Sequence, residues 1–503
     1  MLPACVPAAE AQGLKGPAAC AVPPGSKDAA CAPSAQPVPP DPQAVAFVAR
    51  GMERLGRGEA DRAIAEFNDA LRLSPQYATA YLRRGDAWKK KGEHDWAIAD
   101  YSRAIELDPA DVAGFLARAA AWEEKGDLER AIAGYGEAIK VNPRSTQAYN
   151  NRGMAWKKRG SFDKAIADFT EAIRLDPRDA AAYNNRGSLL SARGDRDRAM
   201  ADYDEAIRLN PADPTAYANR ASLWGGKGDF DKVIADCSEA IRLDPQFAMA
   251  YANRGNAWSD KGDRERALAD YNEAVRLDPK NALALYNRGS VWVYKGEAER
   301  AIGDYNRVVE LNPRFLLAYL NRGSAWARRG YYDWSIADYD AALKLNPKSA
   351  DAFHARGAAR HLKGEEEGAI ADFSEALRLA PQRTDSLFWR YLARARSAGV
   401  TEAARELEAA AAPLPRDRWP APLIEALLGR GDAAVALKAA ENASSDMQRS
   451  QRCEAAHLLG EAALLRNAPA DARTLLEKAR DECPKGAFVT MAAVREALKR
   501  LDN

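Results

Sequence analysis

The sequence predicts an all-α fold, a right-handed superhelical solenoid built from antiparallel helix pairs. Ten prolines recur at intervals of 34 residues between Pro75 and Pro381, which indicates an internal repeat. Counting each proline as position 32 places ten repeats over residues 44–383. Glycine occupies position 15 of every repeat, from Gly58 to Gly364. Because glycine favours the end of one helix and proline stops the next, each repeat is predicted to hold two helices, A and B.

Each predicted helix carries one apolar stripe. On helix A, position 4 is aromatic in nine repeats, position 8 is glycine or alanine, and position 11 is tryptophan in seven repeats. On helix B, most repeats have alanine at positions 20 and 27 and an aromatic residue at position 24. Position 18 is acidic in all ten copies, near the positive start of helix B. One helix pair cannot bury both stripes alone, whereas stacked pairs can.

This pattern resembles the tetratricopeptide repeat, in which spaced aromatic residues and a glycine on helix A precede A-x3-F and a proline on helix B. The resemblance spans residues 44–383. It implies an array whose A helices line a concave groove, and a function in binding proteins or peptides. The chain departs from the family pattern at position 7, where arginine replaces the usual leucine in every copy.

The arginine column has an acidic counterpart on helix B. Position 23 is acidic in nine copies, and only Gly134 interrupts it. On a helical wheel of about 100° per residue, positions 7 and 23 both fall at the margin of the apolar stripe. We therefore predict a structural ladder of arginine–carboxylate pairs, formed either within repeats or between them.

Position 6 points away from the apolar stripe and is asparagine in six consecutive repeats. This row resembles the asparagine ladder of O-linked N-acetylglucosamine transferases, which implies contact with an extended peptide; the alternative is that asparagine is simply common at this position. Apolar residues follow on the same face of repeats 8 and 9, as a predicted partner anchor or as packing between repeats. The predicted groove residues are Asn151, Asn185, Asn219, Asn253, Asn287, Asn321, Tyr286, Tyr294, Leu317 and Leu320.

The first segment, residues 1–43, is rich in proline and alanine and is predicted to be disordered. It contains Ala9-Glu10-Ala11, an A-x-A pattern typical of the end of a signal peptide, without the charged and apolar regions that normally precede it. We interpret the segment as a remnant of a signal peptide, which favours a periplasmic or secreted protein. The alternative is a chance match in a cytoplasmic protein.

Residues 384–503 are predicted to form degenerate helices of the same kind, ending in a hairpin that starts at Cys453. The region carries Trp419-Pro420, LLGRG at residues 427–431 and RCEAAHLLGEAALLR at residues 452–466. In these motifs it resembles the C-terminal part of bacterial envelope tetratricopeptide lipoproteins and their proteobacterial relatives. Cys453 and Cys483 lie at opposite ends of the final hairpin, where antiparallel helices bring first and last residues together. We expect them to form a disulfide in an oxidising compartment; otherwise they are free thiols.

Composition and motifs exclude several function classes. The net charge of +1 argues against a dedicated nucleic-acid binder, and no run of about 20 apolar residues predicts a transmembrane helix. There is no CxxC or HExxH spacing and no glycine-rich phosphate loop, so we expect no metal, no cofactor and no catalysis. The predicted function is a non-catalytic scaffold that binds a protein or extended peptide, as a bacterial cell-envelope adaptor. The alternatives are the substrate-recruiting arm of a glycosyltransferase-type enzyme and a cytoplasmic assembly scaffold. The sequence does not decide the oligomeric state.

Overall fold

A computed structural model of the chain describes residues 39–441, 445–484 and 487–502. These residues hold 27 helices and no strand, paired in antiparallel fashion, which confirms the all-α prediction. The signal-peptide pattern at Ala9-Glu10-Ala11 lies outside the described residues. The chain divides into two compact units, Met1–Leu175 and Asp176–Asn503, and each is described by itself.

The described residues of the first unit, from 39 onward, form four helix pairs, in which each helix A packs against the helix B that follows it. Its first helix begins at Pro42, two residues before the predicted start of the repeats, and Asp41 caps it by accepting a hydrogen bond from the backbone N–H of Gln43. The helices are α1 Pro42–Gly56, α2 Ala60–Leu73, α3 Ala78–Lys90, α4 His94–Leu107, α5 Val112–Glu124, α6 Leu128–Val141, α7 Thr146–Lys158 and α8 Phe162–Leu175.

The second unit continues the same alternation through six further pairs. Odd-numbered helices are A helices and even-numbered helices are B helices. These are α9 Ala180–Ala192, α10 Arg196–Leu209, α11 Pro214–Gly226, α12 Phe230–Leu243, α13 Ala248–Asp260, α14 Arg264–Leu277, α15 Ala282–Lys295, α16 Ala298–Leu311, α17 Leu316–Arg328, α18 Tyr332–Leu345, α19 Ala350–Lys363 and α20 Glu366–Leu379.

In the part of the second unit that the structure describes, seven helices follow the array. They are α21 Thr384–Ala398, α22 Val400–Ala411, α23 Ala421–Leu427, α24 Ala433–Ala439, α25 Ser445–Leu465, α26 Pro469–Glu482 and α27 Phe488–Asp502. α21 pairs with α22, α23 with α24, and α25 with α26. The structure corrects the predicted start of the last hairpin, because α25 begins at Ser445 rather than at Cys453.

The core of each repeat depends on close contact between helices A and B. The glycine at position 8 faces the aromatic ring at position 24, as Gly255 faces Tyr271. A Cβ atom added to Gly255 would lie 2.9 Å from the Tyr271 ring, closer than side chains normally approach. Glycine at position 8 therefore sets the distance between the two helices. At position 15 all ten glycines have positive φ, as predicted for residues that end helix A.

Two glycine substitutions separate this packing role from helix propensity. We expect Gly255→Ala to destabilise its repeat by about 1–3 kcal/mol, because the added methyl group overpacks the contact with Tyr271. Gly303, inside α16, has no neighbour within 4 Å of a would-be Cβ, so Gly303→Ala is expected to stabilise by about 0.5–1 kcal/mol. Hydrogen exchange of the two repeats would measure both changes. Equal effects of the same sign would contradict the assignment.

The arginine–carboxylate ladder forms, and it forms within repeats. In eight repeats the arginine at position 7 donates through Nε and Nη2 to the two oxygens of the aspartate at position 23, over 2.5–2.9 Å. In the first repeat Arg50 makes one such bond, to Glu66. Arg118, opposite Gly134, donates instead to Glu137 over 2.6 Å. The structural interpretation of the arginine column is confirmed.

Position 19 has a role that the sequence analysis missed. A lysine or arginine from this position lies over the tryptophan at position 11 in several repeats, as Lys232 lies 4.0 Å from the centre of Trp224 and Arg266 lies 4.5 Å from that of Trp258. In the ninth repeat the residue is Trp334, which packs on Trp326. The cation–π contact covers an aromatic surface that would otherwise meet water. The signal was a basic residue recurring at position 19, outside the two stripes that we considered.

Candidate peptide-binding face

The candidate site is the surface formed by consecutive A helices of the second unit, called here the A-helix face. α11 contacts α9 and α13, and α17 contacts α15 and α19. Residues at position 6 of these helices therefore follow one another from repeat to repeat. The six predicted asparagines are all half-buried, and Asn151 belongs to the corresponding helix of the first unit.

Four of the asparagines donate hydrogen bonds across repeat boundaries to the preceding helix A. Nδ2 of Asn219 donates to Oδ1 of Asn184 over 3.0 Å, and Nδ2 of Asn253 to Oγ of Ser222 over 3.4 Å. Nδ2 of Asn287 donates to Oδ1 of Asn256 over 2.8 Å. Each side chain thus has a structural role. We call these residues the amide row, completed by Asn321, which donates to the hydroxyl of Tyr286 over 3.0 Å.

The cross-repeat bonds also fix how each amide is oriented. A planar amide that donates through Nδ2 places its carbonyl oxygen on the other side of the group. Within the described part of the chain, Oδ1 of Asn219, Asn253, Asn287 and Asn321 accepts no hydrogen bond. The amide row therefore keeps acceptor groups for a ligand after its structural bonds are made.

Asn256 adds donors to this face. Its Oδ1 accepts from Asn287 and from the hydroxyl of Tyr271, each over 2.8 Å. Burial raises the pKa of Tyr271, which keeps that hydroxyl protonated and able to donate. Because both bonds end on the oxygen of Asn256, its Nδ2 group is directed elsewhere. Asn256 and Asn287 line a cleft of about 460 Å³ that also includes Arg264 and Tyr294.

The four predicted apolar residues have different environments. Leu317 and Tyr294 are 51% and 40% exposed, and the guanidinium of Arg264 lies 3.4 Å from the centre of the Tyr294 ring. Tyr286 packs against the core around Leu285, and Leu320 packs against the core between the ninth and tenth repeats. Tyr286 and Leu320 are thus packed between repeats, whereas Leu317 and Tyr294 remain accessible to a ligand.

The A-helix face is covered at its C-terminal end. α27 contacts both α17 and α19, and it also packs against α26. Beneath it lies a buried polar cluster in which Glu461 binds Arg396 over 3.1 Å and Arg500 of α27. Burial opposes the charge on Glu461, yet the two arginines hold its pKa below the ordinary value. Burial lowers the pKa of the neighbouring His457 to about 4, so its ring is neutral at neutral pH.

The predicted cysteine pair lies in the same region. Cys453 of α25 and Cys483, which follows α26, are bonded, with their Cα atoms 4.6 Å apart. Cys237 is a buried thiol at position 24 of its repeat. Burial raises the pKa of this thiol to about 12, which makes it a core residue rather than a nucleophile.

Family models match separate parts of the array. The tetratricopeptide repeat model matches residues 78–111, 146–179 and 180–213, and a second model of the same repeat matches residues 286–340. A model described as TPR repeat matches residues 258–293 and 325–364. The chain is a tetratricopeptide repeat protein. The matched segments keep the 34-residue phase that the prolines define.

Several solved structures resemble this tetratricopeptide repeat protein at low identity. YrrB, described as a TPR protein with an unusual peptide-binding site, is 27% identical over 37% of this chain and 95% of its own, with a TM-score of 0.35. PilF of Pseudomonas aeruginosa is 19% identical over 41% of this chain and 94% of its own, with a TM-score of 0.38. Cut9–Hcn1 is 13% identical over 92% of this chain and 96% of its own, with a TM-score of 0.39. No curated protein is a significant match.

Among the described helices, none combines the length and apolar character that a membrane crossing requires.

Proposed function

We propose that this protein is a non-catalytic scaffold that binds an extended peptide segment of a partner protein along the A-helix face of the second unit. The observation that carries the proposal is the amide row Asn219, Asn253, Asn287 and Asn321, whose structural hydrogen bonds leave the carbonyl oxygens available. An extended peptide exposes backbone N–H and C=O groups along its length, and side-chain amides complement both.

Further contacts define the expected ligand. The Nδ2 group of Asn256 can donate to a peptide carbonyl, because its oxygen is already occupied. Tyr294 and Leu317 offer exposed apolar surface at one end of the row, where they can take an apolar side chain of the peptide. Asn185 extends the proposed row toward the start of the second unit. Asn151 remains a proposed contact of the first unit's own A-helix face.

The direct test is peptide selection with matched variants. The full chain would be used to enrich binders from a displayed library of random peptides, and their Kd values would be measured. We expect the triple variant Asn219→Ala, Asn253→Ala and Asn287→Ala to bind the selected peptides at least tenfold more weakly. Each substitution removes an acceptor from the face together with one hydrogen bond between repeats.

The control removes hydrogen bonds between repeats without touching the A-helix face. Asn272 and Asn306, on B helices, accept from Arg288 and Arg322 of the following repeats over 3.1 and 2.8 Å. The double variant Asn272→Ala and Asn306→Ala should bind peptides as the unmodified chain does. Failure to enrich any peptide, equal loss in both variants, or full binding by the triple variant would contradict the proposal.

We also propose that the protein acts in an oxidising compartment such as the bacterial periplasm, as an envelope adaptor. The support is the disulfide between Cys453 and Cys483, since such bonds persist mainly outside the reducing cytosol. Alkylation of thiols in denaturant, before any reduction, should leave both cysteines unlabelled, because unfolding exposes the otherwise buried Cys453. Labelling of both would favour the cytoplasmic alternative. The described residues after Arg383 form helices α21–α27, so nothing in them favours the glycosyltransferase alternative.

A further inference from the structure

The last helix of the chain lies on the binding side of the array. Ala493 of α27 is buried in the same cluster as Ala358 of α19 and Trp389 of α21. Ala358 occupies position 9 of its repeat, which shares a helix face with the asparagine at position 6 of other repeats. α27 is thus seated on α17 and α19 as a helical ligand would be.

The contact with α17 has a specific chemical basis. Arg495 of α27 donates to the backbone carbonyl oxygen of Arg328, the last residue of α17. The last carbonyl groups of a helix have no partner within that helix, and this end carries partial negative charge. A donor side chain at this point of a bound helix satisfies that carbonyl. The same contact brings two guanidinium groups together, because burial and the charge of Arg495 lower the pKa of Arg328.

The described side chains that α27 packs against α19 and α21 are small, namely Val489 and Ala493. Among the described side chains of α27, the most completely buried are Ala492, Ala493, Val494 and Ala497, whereas the helices of the array bury whole tyrosine and phenylalanine side chains. On the side of the array, Ala493 and Val489 remove little apolar area from water, so they contribute little to holding α27 there. Leu498 and Leu501 pack on the other side, against the cluster around Leu476 of α26. The buried Glu461 keeps Arg396 as a partner when Arg500 departs with α27, so detachment leaves no unpaired buried carboxylate.

α25 and α26 also contact each other directly, although Val494 and Ala497 of α27 share a buried cluster with Leu476 of α26. α25 and α26 form a closely packed pair, with Leu476 of α26 against Gly460 of α25. The disulfide between Cys453 and Cys483 ties the end of α26 to α25, just before α27 begins. When α27 detaches, the disulfide therefore keeps the start of this helix close to α25 and holds the two ends of the α25–α26 pair together.

We propose that the surface formed by α17 and α19 is a docking site for an amphipathic helix, that α27 occupies this site within the same molecule, and that a partner helix takes the site by displacing α27. The chemistry of α27 defines the partner: a stripe of alanine and valine against Ala358 and Trp389, and an arginine against the end of α17. This site does not rest on peptide binding by the amide row, because it uses different groups and a helical ligand.

The test uses α27 itself as the probe. A fluorescently labelled synthetic peptide of residues 487–502 would be titrated into the full chain, and binding measured by fluorescence anisotropy. The variant Ala493→Arg places a long charged side chain into the buried cluster, which should detach α27 and open the site. We expect this variant to bind the peptide at least tenfold more tightly than the unmodified chain, in which the attached helix competes at high effective concentration.

Two further variants locate the site. Adding Ala358→Arg to Ala493→Arg should abolish peptide binding, because it blocks the same cluster from the side of α19. Lys499→Ala changes a solvent-exposed position of α27 and should leave binding as weak as in the unmodified chain. The proposal is overturned if the unmodified chain and Ala493→Arg bind the peptide equally, if neither binds it, or if Ala358→Arg has no effect.

Hydrogen exchange provides a second measurement that needs no variant. In the unmodified chain, amides of α27 should exchange faster than those of α25 and α26, because α27 opens separately. Exchange of the three helices as one unit would overturn the proposal even if Ala493→Arg failed to fold. Loss of binding in the asparagine variants affects only the peptide-binding proposal, so the two can fail independently.

Discussion

Arg254→Met is expected to lower the free energy of opening of its repeat by about 3–5 kcal/mol, because it leaves the carboxylate of Asp270 buried without its partner. Nε and Nη2 of Arg254 each lie 2.8 Å from an oxygen of Asp270, whose side chain is 8% exposed. The hydrogen bond to Asp270 raises the pKa of Arg254, so the guanidinium remains charged at any pH at which the protein is folded. Methionine keeps much of the aliphatic stem and removes the charge and the donors.

The measurement must be local, since long repeat arrays do not unfold in a single step. Hydrogen exchange of α13 and α14 reports the free energy of opening of this repeat. The control is Arg276→Met, which removes a solvent-exposed pair with Glu273 and should cost about 0–1 kcal/mol. If both variants lowered the free energy of opening by similar amounts, burial of the Arg254–Asp270 pair would not increase its contribution to stability.

A double-mutant cycle with Asp270→Asn identifies the partner. If Arg254 acts through Asp270, adding Asp270→Asn to Arg254→Met should recover part of the lost free energy of opening, because the buried charge of Asp270 is then removed. Additive effects would mean that Arg254 stabilises the repeat through other contacts. Two such contacts are present, a hydrogen bond to Ser238 over 3.1 Å and the Tyr251 ring, 5.6 Å from the guanidinium.

Loss of the Cys453–Cys483 disulfide is expected to destabilise the C-terminal helices by about 3–4 kcal/mol. The bond closes a loop between residues separated by 30 positions, and the entropy that this loop loses in the unfolded chain gives a cost of that size. Thermal unfolding monitored by hydrogen exchange of α25 and α26, with and without reductant, would measure it. The double variant Cys453→Ser and Cys483→Ser should match the reduced protein.

Reductant should leave the double variant unchanged, which provides the control for effects on other cysteines. It should also leave exchange of α13 and α14 unchanged, since the reduced bond lies far along the chain from this repeat. If the reduced and oxidised proteins open α25 and α26 equally, the disulfide does not stabilise the pair. The support that it gives to an oxidising compartment would then be weaker as well.

Local periodicity explains why so much of the array was predictable. Proline, glycine and the apolar positions recur in one phase, so the ends of helices A and B follow from steric rules that act within a few residues. The same phase predicts that positions 7 and 23 lie side by side. The sequence left open whether an arginine pairs within its own repeat or with the next one, and the structure pairs Arg254 with Asp270 of the same repeat. The start of α25 at Ser445 was missed because the degenerate tail lacks that phase.

A helical wheel does not predict the contacts of the groove residues. A wheel assigns Asn287 and Tyr286 to sides of one isolated helix, but the neighbouring repeat decides what they contact. Asn287 donates to Asn256 of the preceding repeat, and the hydroxyl of Tyr286 accepts from Asn321 of the following repeat over 3.0 Å. Leu317, by contrast, is 51% exposed, because no described neighbour covers it.

The sequence by itself determined the repeat, its two helices, their apolar faces and the arginine column, because these depend on interactions between residues close in the chain. Only the tertiary structure decided which asparagine groups remain available and where α27 lies. The contact between Arg495 and Arg328 joins residues 167 positions apart, and no repeat relates them. Such a contact depends on how whole helices pack. Packing is stabilised by many weak interactions between residues distant in the chain, so no local sequence pattern predicts it.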